Sequence, residues 1–156
     1  MTRASKPIDV AAGLVFRDGR LLITRRAAKA HLGGLWEFPG GKREPGETFV
    51  RCLRRELREE LGIEVEVGYV VSDLVHHYPE RSVRLKFLQC RWIRHEPRPI
   101  LCDELAWITA AQLGDYAFPA ADKRLLAKLR RSRKYWVTEL YTCQTQPRVI
   151  KSPYEK

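Results

Sequence analysis

Residues 40–63 read GGKREPGETFVRCLRRELREELGI. Val50, Leu53, Leu57 and Leu61 recur at helical spacing, so Thr48 to Leu61 reads as one amphipathic helix with its apolar stripe toward a core. Gly62 is placed to stop it, as the left-handed residue after a helix end. Glu56, Glu59 and Glu60 stand at i, i+3 and i+4, on one face beside that stripe. Like charges so spaced repel by roughly 0.2–0.5 kcal/mol per pair. Arg51, Arg54, Arg55 and Arg58 can offset the repulsion, which gives one reading, a solvated charged helix. A second reading is chemical. Three carboxylates on one face, after a glycine-rich turn, form an oxygen-donor set for a hard divalent cation. Mg²⁺ takes few carboxylates together with water and substrate phosphates. Gly40-Gly41-Lys42 ahead of the helix lets backbone approach a metal or a phosphate closely.

Upstream, VAAGLVF (10–16) and RLLITRR (20–26) flank Asp18-Gly19 and predict a hairpin. A long glycine-rich loop follows and carries Trp36 and Phe38. Loops of that length inside a compact domain are usually functional, and the aromatics favour function here. Downstream, alternation predicts strands over 63–71, through Val75–Tyr78, and over 82–93, the last two paired around PERS. ELAWITAAQL (104–113) reads as a short strand passing into a helix start. After Pro119, Leu125, Leu126 and Leu129 line one side of a final helix.

The chain has 156 residues, which suggests one domain with a substantial core. It has no apolar run of transmembrane length and no apolar leader after MTRASKPID, so a soluble cytoplasmic protein is expected. Cys52, Cys90, Cys102 and Cys143 form no CxxC pair, which argues against structural zinc and a disulfide frame and for reduced thiols. The net charge of +10 is uneven, with ten Lys and Arg against two acids in 123–156. We therefore read 1–132 as the folded domain and 133–156 as a basic extension, in which YWVTELYTCQ is a possible further strand. A basic tail can meet polyanions, but a solvated face is the commoner meaning.

The spacing Gly41, Glu47, Arg55-Glu56-Leu57, Glu59-Glu60, Gly62-Ile63 fills all nine specified positions of a 23-residue pattern, Gx5Ex7REUxEExGU with U apolar. It resembles the box of the Nudix hydrolases. LLITRRAAKAHLGGLWEFPGGK, HHYPERSVRL and FPAAD extend the likeness over residues 8–131 to the MutT-like branch of that family. The resemblance implies an α/β fold, a mixed sheet sandwiched between helices, and a Mg²⁺- or Mn²⁺-dependent enzyme that cleaves nucleoside triphosphates to monophosphate and pyrophosphate. It implies that Glu56, Glu59, Glu60 and the Gly40 carbonyl hold the metal. Arg55 would hold Glu47 and so order the loop, and Glu56 would activate water. One position departs from the branch. Six residues before Trp107 its members carry a further glutamate, where this chain has Leu101, with Asp103 and Glu104 close by.

For the nucleotide, the same likeness points to Arg26, His31, Phe38, Lys42, Tyr78 and Asp122; His76 and His77 are read as without a role. Asp122 replaces an asparagine that reads an oxidised purine. An ionised carboxylate only accepts hydrogen bonds, so it suits the N7–H of 8-oxoguanine or the amino group of cytosine. It also serves as an ordinary helix-cap residue. The expected substrate is 8-oxo-dGTP, with cytidine-type triphosphates as the alternative. A non-catalytic nucleic-acid-binding domain of this family is a third reading, but it predicts a degraded box, and this box is complete. No membrane partner is expected, and the sequence leaves monomer or homodimer open.

Overall fold

The computed structural model describes residues 5–136. Strand β1 (Ile8–Arg17) turns through Asp18-Gly19 into β2 (Arg20–Arg25). Both turn residues have positive φ, 51° and 72°, the geometry that suits the twist of a two-residue hairpin. Two short strands follow, β3 (Trp36–Glu37) and β4 (Gly40–Lys42), then helix α1 (Phe49–Leu61). Strands β5 (Glu64–His77), β6 (Ser82–Arg94) and β7 (Glu104–Ile108) precede helix α2 (Lys123–Arg131). The sheet order is β3-β2-β1-β6-β5, with β4 on β1 and β7 on β2. It is mixed, because β1 and β6 run parallel while the other pairs are antiparallel.

Alternation along β1 sends Leu14 and Phe16 to one face and Ala11 and Val15 to the other. The first face packs against Leu125 and Leu129 of α2, and the second against Leu53, Leu57 and Leu61 of α1. The architecture is thus the expected sheet between helices. Among the described residues, β5 pairs only with β6 and β7 only with β2, so each lies at an edge of the sheet.

Three expectations are corrected. Val50 is 40% exposed, and Cys52 is fully buried in its stead. The glycine loop lies over the Cys52 side of the helix, where Sγ is 3.5 Å from the Gly41 carbonyl, and Val50 stays at the surface. The stretches 63–71 and 75–78 are one strand, β5, with register shifts between Val67 and Ser72. Bulges there break the alternation without ending the pairing. The core also continues past residue 132. Tyr135 and Trp136 are buried, Trp136 meets Phe16 edge-on at 5.5 Å, and its Nε1 donates to Leu129 O at 2.9 Å. The stretch YWVTELYTCQ otherwise lies outside the described residues.

Candidate active site

α1 begins at Thr48, whose hydroxyl accepts from Arg51 N at 3.1 Å, and ends at Gly62, φ 69°. Those two caps fix which side chains face the loop in front. At Gly40 and Gly41 a side chain would collide with what is already there. A Cβ on Gly40 would lie 1.9 Å from the Ala11 carbonyl oxygen, and one on Gly41 would lie 2.3 Å from the Glu56 carboxyl carbon.

Arg55 organises the acids. Its Nε and Nη2 form a fork on Glu47, at 2.8 and 3.0 Å. Its Nη1 reaches Glu56 at 2.9 Å and Glu59 at 3.2 Å, and Nη2 donates to Lys42 O at 3.1 Å. Glu47 also accepts from Glu44 N at 3.1 Å, so the loop 42–47 is closed as expected. The fork and that amide hold the Glu47 carboxyl down at about 2.

The other acids are pushed the opposite way. Burial raises Glu56, partly countered by Arg55. Glu60 is pushed up to about 8, by burial and then by the Glu37 and Glu56 carboxylates, although the Gly40 amide donates to it. Glu59 is more exposed. Buried like charges of this kind are relieved by a bound cation, and every donor is a hard oxygen, as Mg²⁺ or Mn²⁺ requires. By chemistry, then, the residues fit a divalent metal. As placed, no three acids among the described residues converge on one point, and the Arg55 guanidinium lies between Glu56 and Glu59.

Beside this helix end opens a cavity of about 280 Å³. Gly40, Gly41, Lys42 and Glu60 line one end, and Phe38, Tyr78 and Asp122 line the rest with Arg26 and His31. All six residues expected at the nucleotide are therefore brought together. Phe38 is both core and wall: it is 4% exposed, stacks on Phe118 at 5.2 Å and meets Phe87 at 5.9 Å. Tyr78 stands between His31, at 5.6 Å, and His76, at 4.6 Å, so His76 buttresses the wall. His77 instead pairs with Ser82 Oγ at 2.6 Å. The Asp122 carboxyl is buried and lines the cavity, and burial, then the Glu37 carboxylate, push it up to about 7.

Asp103 and Glu104 do not line the cavity. Glu104 pairs with Arg25 at 3.4 Å, and Asp103 is exposed, with its amide on Arg25 O. Two charged wall residues went unread in the sequence, Glu37 and Arg81. Glu37 sits on β3, held by Arg26 Nη1 at 2.9 Å. The signal for it was a lone acid inside the aromatic run LWEF, which no spacing rule picks out.

The family model described as "NUDIX domain" matches residues 11–128. The chain belongs to the Nudix hydrolase family. Nudix hydrolases in general depend on divalent metal ions. Among relatives of this Nudix hydrolase, a protein of Escherichia coli named 8-oxo-dGTP diphosphatase is 37% identical over 128 residues, 81% of this chain and 98% of the relative. A second E. coli protein, named CTP pyrophosphohydrolase, is 39% identical over 124 residues, 78% and 90% of the two chains. The solution structure of the E. coli ORF135 protein superposes with a TM-score of 0.71 at 34% identity, covering 83% of this chain and 92% of that one. No helix among the described residues is long and apolar enough to cross a membrane.

Proposed function

We propose that this Nudix hydrolase is a Mg²⁺-dependent nucleoside triphosphate pyrophosphohydrolase acting on 8-oxo-dGTP, with 8-oxo-dGMP and pyrophosphate as products. The observation that carries the base assignment is Asp122, a buried cavity-wall carboxyl pushed up to about 7. Near neutral pH it is protonated in a large fraction of molecules. A carboxylic acid offers one O–H donor and one carbonyl acceptor, the same pair as an asparagine amide. 8-Oxoguanine presents the O6 acceptor beside an N7–H donor, whereas guanine has a bare N7.

A bound Mg²⁺, held by Glu56, Glu59, Glu60 and the Gly40 carbonyl, would neutralise phosphate charge and lower the pKa of water. The chain's own residues do the rest. Arg55, gripping Glu47 and the Lys42 carbonyl, fixes the loop against the helix. Burial makes the Glu56 carboxylate more basic, as suits a group that takes a proton from water attacking the β-phosphorus. Lys42 lines the phosphate end, Phe38 and Tyr78 flank the base, and Arg26 braces the wall carrying His31 through its carbonyl at 2.7 Å.

A second reading, cytidine-type triphosphates, is favoured by the aspartate itself. Its ionised form accepts from the cytosine amino group and opposes the purine O6. Steady-state hydrolysis of 8-oxo-dGTP, dGTP, dCTP and 5-methyl-dCTP with Mg²⁺, resolving monophosphate and pyrophosphate, decides between the two. The expected result is a kcat/KM for 8-oxo-dGTP at least about 100-fold above that for dGTP, in line with one matched hydrogen bond at N7–H set against two facing acceptors at the bare N7 of guanine. A preference for the cytosine nucleotides overturns the base assignment and leaves the chemistry standing.

A further inference from the structure

Helix α1 ends at Leu61, one residue after Glu60. The carbonyls of a last helical turn have no partner inside the helix, and such an end frays unless something else holds it. A strap holds this one. Residues 95–103, HEPRPILCD, run from the end of β6 to the start of β7 and cross the end of α1 on the way. Arg98 N donates to Leu61 O at 2.9 Å, and Ile100 N and Leu101 N both donate to Glu60 O, at 3.1 and 3.3 Å. The strap lies directly over the turn that stops the helix: a Cβ on Gly62 would stand 3.4 Å from Arg98 Nη2 and 3.5 Å from Ile100 Cδ1.

It is anchored on both sides of that crossing. Arg17 pairs with Glu96 at 2.6 Å, and its guanidinium stands 4.7 Å from the Trp92 ring and 4.5 Å from the Trp107 ring. Trp92 Nε1 donates to His95 O at 2.8 Å. On the far side Asp103 N donates to Arg25 O at 3.1 Å. Between the anchors, Pro97 and Pro99 fix φ on either side of Arg98. Ile100 is 48% exposed and Leu101 66%, so at these two positions the amides and not the side chains reach α1.

We propose that the strap 95–103 positions Glu60 for the metal by fixing the main chain that carries it. Leu101 shows the arrangement most plainly. Where the MutT-like branch has a glutamate, this chain supplies a backbone amide turned onto Glu60 O. Glu60 is then held twice, its carbonyl by the strap and its carboxyl by the Gly40 amide. This inference rests on the proposed part of Glu60 as a metal ligand.

The test is a Mn²⁺ titration of the nucleotide-free chain, read from the electron paramagnetic resonance signal of the unbound ion. It compares the native chain with the double variant Pro97→Gly, Pro99→Gly and with Leu129→Ala. Glycine at both positions frees the strap's backbone and leaves every donor in place. The double variant is expected to raise the Mn²⁺ dissociation constant about five- to tenfold, with a melting temperature lowered by only a few degrees. Leu129→Ala, in the core on the opposite face of the sheet, is expected to melt at least as much lower and to keep the constant within about twofold of native. An unchanged constant in the strap variant overturns the proposal. An equal rise in both variants does so too, since it makes the strap a matter of general stability. Where a circular dichroism spectrum shows the double variant misfolded, Leu101→Pro takes its place. It removes one of the two amides on Glu60 O and is expected to raise the constant about threefold or more. A native chain that binds no Mn²⁺ overturns the metal reading, and this inference with it. One that binds Mn²⁺ but does not hydrolyse 8-oxo-dGTP overturns the substrate alone and leaves the strap to be judged by the titration.

Discussion

At Asp122 the fold keeps a carboxyl largely buried in the cavity wall, near a second carboxylate. Its folded pKa of about 7 lies above the 3.8 of a free aspartate. The folded chain therefore binds a proton more tightly than the unfolded one between those values. Stability falls as pH rises through that window, and the full cost of the ionised group is present above about 7. Asp122→Asn removes this cost. Melting curves recorded without nucleotide are expected to show the variant raised over the native chain by about 3 °C or more at pH 8. At pH 5, where Asp122 holds its proton in the fold, the gain is expected to be much smaller. A gain independent of pH would mean that Asp122 is not the titrating group. The Nudix-box residues were legible in the sequence because their spacing lies within one loop and one helix. Asp122 and Tyr78 were reached through family likeness, and Glu37 was not reached at all. The base end is assembled from β3, the β5–β6 turn and the start of α2, and no local rule of spacing joins those.

Along α1 the element's ends and acidic face were readable, since caps and helical period act over a few residues. The stripe at Val50 was misread because tertiary packing of the glycine loop chose Cys52 instead. The β5 strand was split for a similar reason: its bulges interrupt the pattern while β6 carries the pairing through. The loop and helix also separate two glycines that look alike in the sequence. An alanine Cβ at Gly40 meets backbone, the Ala11 carbonyl, which cannot move without undoing the β1–β4 pairing. At Gly41 it meets the end of the flexible Glu56 side chain, which can swing away. Gly41→Ala is thus expected to keep its melting temperature within a few degrees while kcat falls about 100-fold, the typical cost of a reacting group misplaced by about 1 Å. Gly40→Ala is expected to fail in folding, read as loss of soluble chain or a collapsed melt. Equal behaviour of the two variants in both assays would contradict the packing described here.

At the scale of the molecule, the two faces of the sheet are closed differently. The α1 face is sealed by one thirteen-residue helix bearing Glu56, Glu59 and Glu60. The opposite face is covered by nine-residue α2, short for the sheet beneath it, and by the turn Arg133–Tyr135 that follows. Composition drew the domain boundary at 132, where charge begins to dominate, but burial continues to Trp136. The indole packs edge-on against Phe16, and its N–H satisfies the carbonyl of Leu129, one of the last carbonyls of α2, which no helix partner reaches. It therefore acts both as core and as helix cap. Truncating a buried aromatic of this size costs about 3–5 kcal/mol. Trp136→Ala is expected to lower the melting temperature by about 6–20 °C. A chain ended at Arg131 is expected to lose at least as much. Because the indole stands on Phe16 and Leu129 and does not line the cavity, the kcat of Trp136→Ala, measured well below its melting point, should stay within about threefold of native. A melt unchanged by Trp136→Ala would return the boundary to 132 and leave α2 alone as the closing layer of that face.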